Sequence, residues 1–177
     1  MIPKILLLLI SSLQFLSFAE SKDDDYIPWN SGKKLGWADF RMDHPSNTND
    51  AALTTTFVGF SFSRTGDNIK FDIECKFQKS RSWMRIKTDY ILKHEQGHFD
   101  IAEIFARKLN KEITLYLAKN KRHEELNKIY TKVMNEKRDT QQLYDSETNH
   151  SINKTQQASW NKKIEEMLED LKEYDDY

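Results

Sequence analysis

A chain of 177 residues with 27 basic and 28 acidic side chains has a formal charge of −1 and no strong block of either sign, so nothing in its charge asks for nucleic acid. Its single cysteine excludes an intramolecular disulfide, and stability has to come from an apolar core. Lys4, the apolar run Ile5 to Ile10 and the small residues Ser17 and Ala19 then have the layout of a secretory signal peptide over residues 1–19, too short for an ordinary membrane span. Cleavage after Ala19 would leave 158 of the 177 residues, the usual size of one domain, exported to the periplasm or beyond the cell. Glu20, not a cysteine, stands directly after the expected cleavage point, which argues against a lipid anchor.

Asp23 to Asn30 reads as a surface lead-in, and "LGWADF" at Leu35 to Phe40 as a short edge strand. A clearer pair follows. Leu53 to Ser63 holds Val58, Phe60 and Phe62 on one parity, and Ile69, Phe71, Ile73, Cys75 and Phe77 alternate with Lys70, Asp72, Glu74 and Lys76. With "RTGD" (Arg64 to Asp67) between them, the two form an antiparallel hairpin with one wet face, and Cys75 is a buried thiol. From Thr88, a plausible N-cap, to about Lys119 the period becomes helical. Ile91, His94, Glu95, His98, Ile101, Ala102, Phe105, Leu109, Ile113 and Tyr116 share one broad face.

His123 to Asp139 is a second helical segment, highly charged, with a thin apolar stripe of Leu126, Ile129, Tyr130 and Val133. Thr140 to Asn153, "TQQLYDSETNHSIN", loses periodicity and reads as a loop rich in turn formers. Ala158, Trp160, Ile164, Met167, Leu168 and Leu171 mark a final helix ahead of the acidic tail. The fold class expected is α+β, a small antiparallel sheet packed on a long helix, with further helices C-terminal to it.

The chemistry sits in "HEQGH", His94 to His98. Residues four apart on a helix are separated by about 40° and about 6 Å, so the two imidazoles can aim at one point. Glu95 lies about 100° round from His94, close enough to act on a water beside the ion without ligating it. Two neutral imidazoles and one further ligand suit zinc, with a fourth position left open. The alternative, two histidines merely hydrogen-bonded in a polar pocket, buries two rings and a carboxylate without pairing them, which is costly.

A third ligand has to arrive from outside this part of the helix. Ala102 stands four residues beyond His98, Asp100 and Glu103 point away from the chelating face, and Glu112 returns to it about 21 Å further on. An extension with a third histidine is excluded, because Ile101 and Ile104 stand where its glycine and histidine would fall. His150 is the first candidate, followed by Glu147 and Asp145 in the same stretch and then Glu124 or Glu125, while His44 and His123 read as solvated. Tyr144 is a phenol placed to steady an oxyanion, or else simply a packed tyrosine.

These residues resemble a family of predicted secreted zinc-dependent proteases, the bacterial domain of unknown function 922. The likeness spans most of the chain after the leader. It rests on "LGWADF", "AALTTT" at Ala51 to Thr56, "SW" at Ser82 and Trp83, "LKHEQGHFDIAE" at Leu92 to Glu103, "YDSETNH" at Tyr144 to His150, and "QQASW" at Gln156 to Trp160. The resemblance implies a zincin-like metallopeptidase fold, export from a bacterial cell, and zinc on His94 and His98 with Glu95 as base. It also points to His150 as part of the site. The family pattern has a glycine after that histidine, where this chain has Ser151.

The function expected is therefore a secreted zinc metallopeptidase acting on protein or peptide substrates, with Glu95 taking a proton from the attacking water and passing it to the leaving amine. Two other readings remain: a non-catalytic exported domain of the cell envelope, stabilised by zinc and binding a partner, and an amidase acting on cell-wall peptides.

Overall fold

The longest regular pairing is the hairpin. In the computed structural model, which describes residues 22–120 and 122–177, strand β3 (Thr56–Thr65) runs antiparallel to β4 (Asn68–Gln78). The expected signal peptide at residues 1–19 lies outside the described residues. Val58 faces Cys75, Phe60 faces Ile73 and Phe62 faces Phe71, so the alternation read from sequence puts its apolar partners directly opposite one another. Gly66, at φ 62°, opens the two-residue turn, a conformation other residues adopt only at a cost. Val58, Ile73, Cys75 and Phe77 are buried, and each large side chain so buried contributes about 1.5–3 kcal/mol.

Strand β1 (Tyr26–Pro28) adds to the free edge of β4, giving a sheet ordered β1-β4-β3. The segment expected to be a surface lead-in is thus partly a strand, because Ile27 is buried opposite Phe77 and three residues are too few to display an alternation. A separate short ladder pairs β2 (Ala52–Leu53) with β5 (Trp83–Met84). "LGWADF" is not a strand. Trp37–Asp39 is a single 3₁₀ turn, drawn tight by the Gly36 N–H donating to Asp39 Oδ2 at 2.7 Å. Leu35 is buried, and its N–H donates to Gln96 Oε1 at 2.8 Å, fastening this loop to the central helix.

That helix, α1 (Asp89–Lys119), is 31 residues long and starts where Thr88 Oγ1 accepts from the Ile91 N–H. It packs against the sheet on one side and against α2 (Leu126–Thr148) and α3 (Lys154–Asp170) on others. Its middle is therefore buried almost all round. Asp100 and Glu103, turned away from the histidines, are covered too. Asp100 Oδ1 accepts from Trp29 Nε1 and Gln96 Nε2, both at 2.8 Å, and Arg107 Nε donates to Glu103 Oε1 at 2.8 Å. Buried polar groups satisfied in this way lock the helix against its neighbours at little net cost.

Helix α2 runs nine residues further than the expected loss of periodicity at Thr140, through Thr148. Its inward residues, Leu126, Val133, Tyr144 and Thr148, keep helical spacing, but the stripe between them carries Lys137 and Gln141, which face a polar cleft rather than the core. Polar residues at inward positions hid the period. Among the described residues, no helix is long and apolar enough to cross a membrane.

Candidate metal centre

His94 and His98 stand on consecutive turns of α1, with ring centroids 4.9 Å apart and planes at 90°. Their Nε2 atoms converge on one oxygen: Asp145 Oδ1 lies 3.2 Å from His94 Nε2 and 3.0 Å from His98 Nε2. Among the described residues, these three form a group of donors lying within 4.8 Å of one another, compact enough to hold a metal ion.

Two glutamines set the tautomers. Gln157 Nε2 donates to Asn161 Oδ1 at 3.0 Å and to the Tyr144 hydroxyl at 2.6 Å, so its Oε1 is the atom 2.7 Å from His94 Nδ1. Gln141 Nε2 donates to the His98 carbonyl at 2.8 Å, so its Oε1 faces His98 Nδ1. An amide oxygen only accepts, so each Nδ1 carries a hydrogen and each neutral ring turns the lone pair of Nε2 toward Asp145. Two lone pairs and a carboxylate oxygen then meet with no donor between them. Such a cluster could hold a metal ion, and a proton on an imidazole can take the same place.

The electrostatics agree. Burial opposes charge on His98, but the hydrogen bond and charge of Asp145, the charge of Glu95 and the bond to Gln141 outweigh it, so His98 titrates above the ordinary histidine value. Burial also pushes the Asp145 carboxyl upward, yet the hydrogen bonds and positive charge it receives from the imidazoles when they are protonated prevail and hold it well below the usual carboxylate range.

Around this group is a cleft of about 440 Å³. Asp50 to Thr56 form one wall, Lys137, Gln141 and Asp145 of α2 the other, and His94, Glu95 and His98 the floor, with His150 and Ser151 closing one end. Glu95 is buried, only 4% exposed, and among the described residues no side chain hydrogen-bonds its carboxylate.

His150 lies at the rim. Its side chain is 70% exposed, and its Nδ1 stands 3.8 Å from Asp145 Oδ1, outside the three-donor group. It belongs to a turn in which Asn149, His150 and Ser151 have φ of 47°, 50° and 73°. Three successive left-handed residues without glycine are strained. The His150 N–H caps α2 by donating to the Asp145 carbonyl at 2.9 Å. The turn formers of this stretch thus mark the end of a helix.

Tyr144 is fully buried and stacks on His94, with centroids 4.6 Å apart. Its hydroxyl donates to the His94 carbonyl at 3.1 Å and accepts from Gln157, and the side chain does not line the cleft. Burial pushes the phenol well above its ordinary value. Gly97 makes room for it, since a Cβ there would come within 2.9 Å of Tyr144 Cζ. Glu147 Oε2 accepts from Trp160 Nε1 at 2.7 Å and is outside the cleft lining. Glu124 and Glu125 precede α2, about 30 Å along its axis from Asp145.

Sequence reasoning placed Asp145 below His150 and did not single out Gln141, Gln157 or Gly97. A spacing signal for Asp145 and Gln141 is present, because Lys137, Gln141 and Asp145 recur every four residues. No curated protein and no solved structure matches the chain. A family profile does match: that of the bacterial protein of unknown function DUF922, over residues 35–151, from the Leu35 loop to the strained turn at Ser151, which takes in all three donors and Glu95. Since that match covers well over half of the 177 residues, the chain belongs to the DUF922 family.

Proposed function

We propose that this protein is an exported zinc-dependent hydrolase of peptide bonds with a zincin-like arrangement, in which His94, His98 and Asp145 hold the ion and Glu95 is the general base. The observation that carries this reading is the meeting of two Nε2 lone pairs and a carboxylate oxygen beside a buried glutamate whose carboxylate no side chain among the described residues hydrogen-bonds, on the floor of an open cleft. The donor set of two imidazoles and a carboxylate suits zinc, which when bound lowers the pKa of a water to about 7 and polarises a carbonyl.

The chain's own residues do the rest. Gln141 and Gln157 keep both imidazoles in the Nδ1–H tautomer, and Tyr144 fixes the His94 ring by stacking and through its backbone carbonyl. Glu95 takes the proton of the attacking water on its carboxylate and hands it to the leaving amine. The wall at Asp50 to Thr56 offers a strand along which an extended peptide can lie. His150, exposed at the rim, is placed to donate a hydrogen bond to a substrate oxygen.

The exposure of His150 beside Asp145 also admits a second reading. If its ring turned inward to complete a four-donor set, the site would be closed and structural, as in a zinc-stabilised binding domain of the cell envelope. Digestion of casein and of a mixed peptide library by zinc-loaded protein separates the two. The parent is expected to cleave, and Glu95→Gln to keep its zinc and lose turnover by about a hundredfold or more. Equal cleavage by parent and variant removes Glu95 from the chemistry, and stoichiometric zinc with no cleavage of any substrate favours the binding domain.

A further inference from the structure

Helix α2 brings a cation to the cleft as well as the Asp145 carboxylate. Lys137, Gln141 and Asp145 lie one above another along its cleft face and span about 12 Å. Among the described residues, Lys137 is the one lysine or arginine lining the cleft. The other cations of α2 have carboxylate partners: Lys128 with Glu125 at 2.9 Å, Lys132 with Glu112 at 3.2 Å, and Arg138 with Asp139 at 3.3 Å. Lys137 has none within the described residues. Its ammonium donates to Thr56 Oγ1 at 3.2 Å, on the opposite wall, and burial holds its amine below the ordinary lysine value. A half-buried cation supported by one neutral hydroxyl gains more from an arriving anion than a solvated or paired one does.

We propose that Lys137, with Thr56, is an anion subsite of this cleft and that the preferred substrates are peptides bearing a carboxylate three to four residues from the bond cleaved. The spacing follows from the geometry, since an extended peptide advances about 3.3 Å per residue and the subsite stands about 12 Å along α2 from Asp145. The carboxylate can come from an Asp or Glu side chain or from the peptide's C-terminus, and both offer Lys137 the same charged acceptor. This inference rests on the reading of the cleft as a peptidase site.

The test uses zinc-loaded protein and internally quenched peptides that differ only by Glu, Gln or Lys at the third and fourth positions on either side of the cleaved bond, each with a free or amidated C-terminus. Binding of the same peptides to Glu95→Gln, followed by fluorescence anisotropy, supplies a readout independent of turnover. The Glu peptides, or those with a free C-terminus, should be favoured by about tenfold to a hundredfold, mainly through KM. The pattern identifies which carboxylate is read. Lys137→Met should erase the preference at unchanged zinc content, Lys137→Arg should keep most of it, and Lys137→Glu should turn it toward Lys peptides.

Cleavage without any charge preference, or a preference that survives Lys137→Met, overturns the subsite and leaves the peptidase reading intact. Charge-selective binding that depends on Lys137, with no cleavage by the parent, overturns the peptidase reading and keeps the subsite. Neither binding nor cleavage of any of the peptides overturns both.

Discussion

Gly97→Ala probes how tightly the metal centre is braced from behind. In a typical helix interior this change stabilises by up to about 1 kcal/mol through propensity alone. Here the new methyl would come within 2.9 Å of Tyr144 Cζ and closer still to its hydroxyl, and Tyr144 is fully buried, with its ring held between His94 and Trp160. Overpacking of this kind costs about 1–3 kcal/mol. Displacing the hydroxyl also weakens its bonds to the His94 carbonyl and Gln157, about 1 kcal/mol more. Net of the propensity gain, the variant should be less stable than the parent by about 1–3 kcal/mol, or roughly 2–12 °C in Tm for a chain of this size.

Denaturant and thermal unfolding of metal-free protein measure this loss. Tyr144→Phe, which removes the closest contact, should recover part of it in the double variant, giving a coupling of about 0.5–1.5 kcal/mol. If Gly97→Ala is as stable as the parent or more so, Tyr144 does not rest on α1 at this turn, and the account of how His94 is oriented fails.

Other consequences are open to measurement. Gln141→Leu and Gln157→Leu should each weaken zinc binding about tenfold to a hundredfold without removing a ligand, by freeing an imidazole to rotate or change tautomer, and unchanged affinity in both would contradict the tautomer argument. The metal-free protein should be most stable in mildly acidic solution. The raised value of His98 means its contribution is full below about 6.5 and lost as pH rises through the folded value, while the lowered value of Asp145 means its contribution is present above about 3.9 and lost as pH falls through the folded value. Melting curves of chelator-treated protein should therefore fall from pH 6 toward pH 8, and added zinc should reverse that fall; a flat profile would show that no proton stands in for the ion. Ser151→Gly should be neutral or stabilising because it relieves a residue at φ 73°, and a clear loss of stability would mean that the half-turn is held by the serine side chain.

Local patterns carried much of the fold and part of the candidate site. His94, Glu95 and His98 were legible because a four-residue spacing on one helix determines where side chains point without reference to the rest of the chain. The hairpin was legible for the same reason, with strict alternation and a Gly-Asp turn. The third donor was not. Asp145 lies on an α2 face whose inward positions are polar because they border a cleft, so the hydrophobic period fades where the site begins, and Asn149 to Ser151 read as a loop when they are a helix terminus. The buried network of Gln96, Asp100, Glu103 and Arg107 was hidden in the same way, since a polar helix face reads as wet until other elements are known to cover it. Strand β1 and the 3₁₀ turn at Trp37–Asp39 depend on pairing with β4 and on one capping carboxylate, neither of which leaves a period in the sequence.

The central claim is that a divalent ion is held by His94, His98 and Asp145. Zinc affinity near neutral pH, measured by competition with a chromophoric chelator for the parent, Asp145→Ala and His150→Ala, tests it most directly. Loss on the order of a hundredfold or more in Asp145→Ala, with His150→Ala close to the parent, is the expected result. Parent-like affinity in Asp145→Ala together with loss in His150→Ala would contradict it and move the third ligand to the turn.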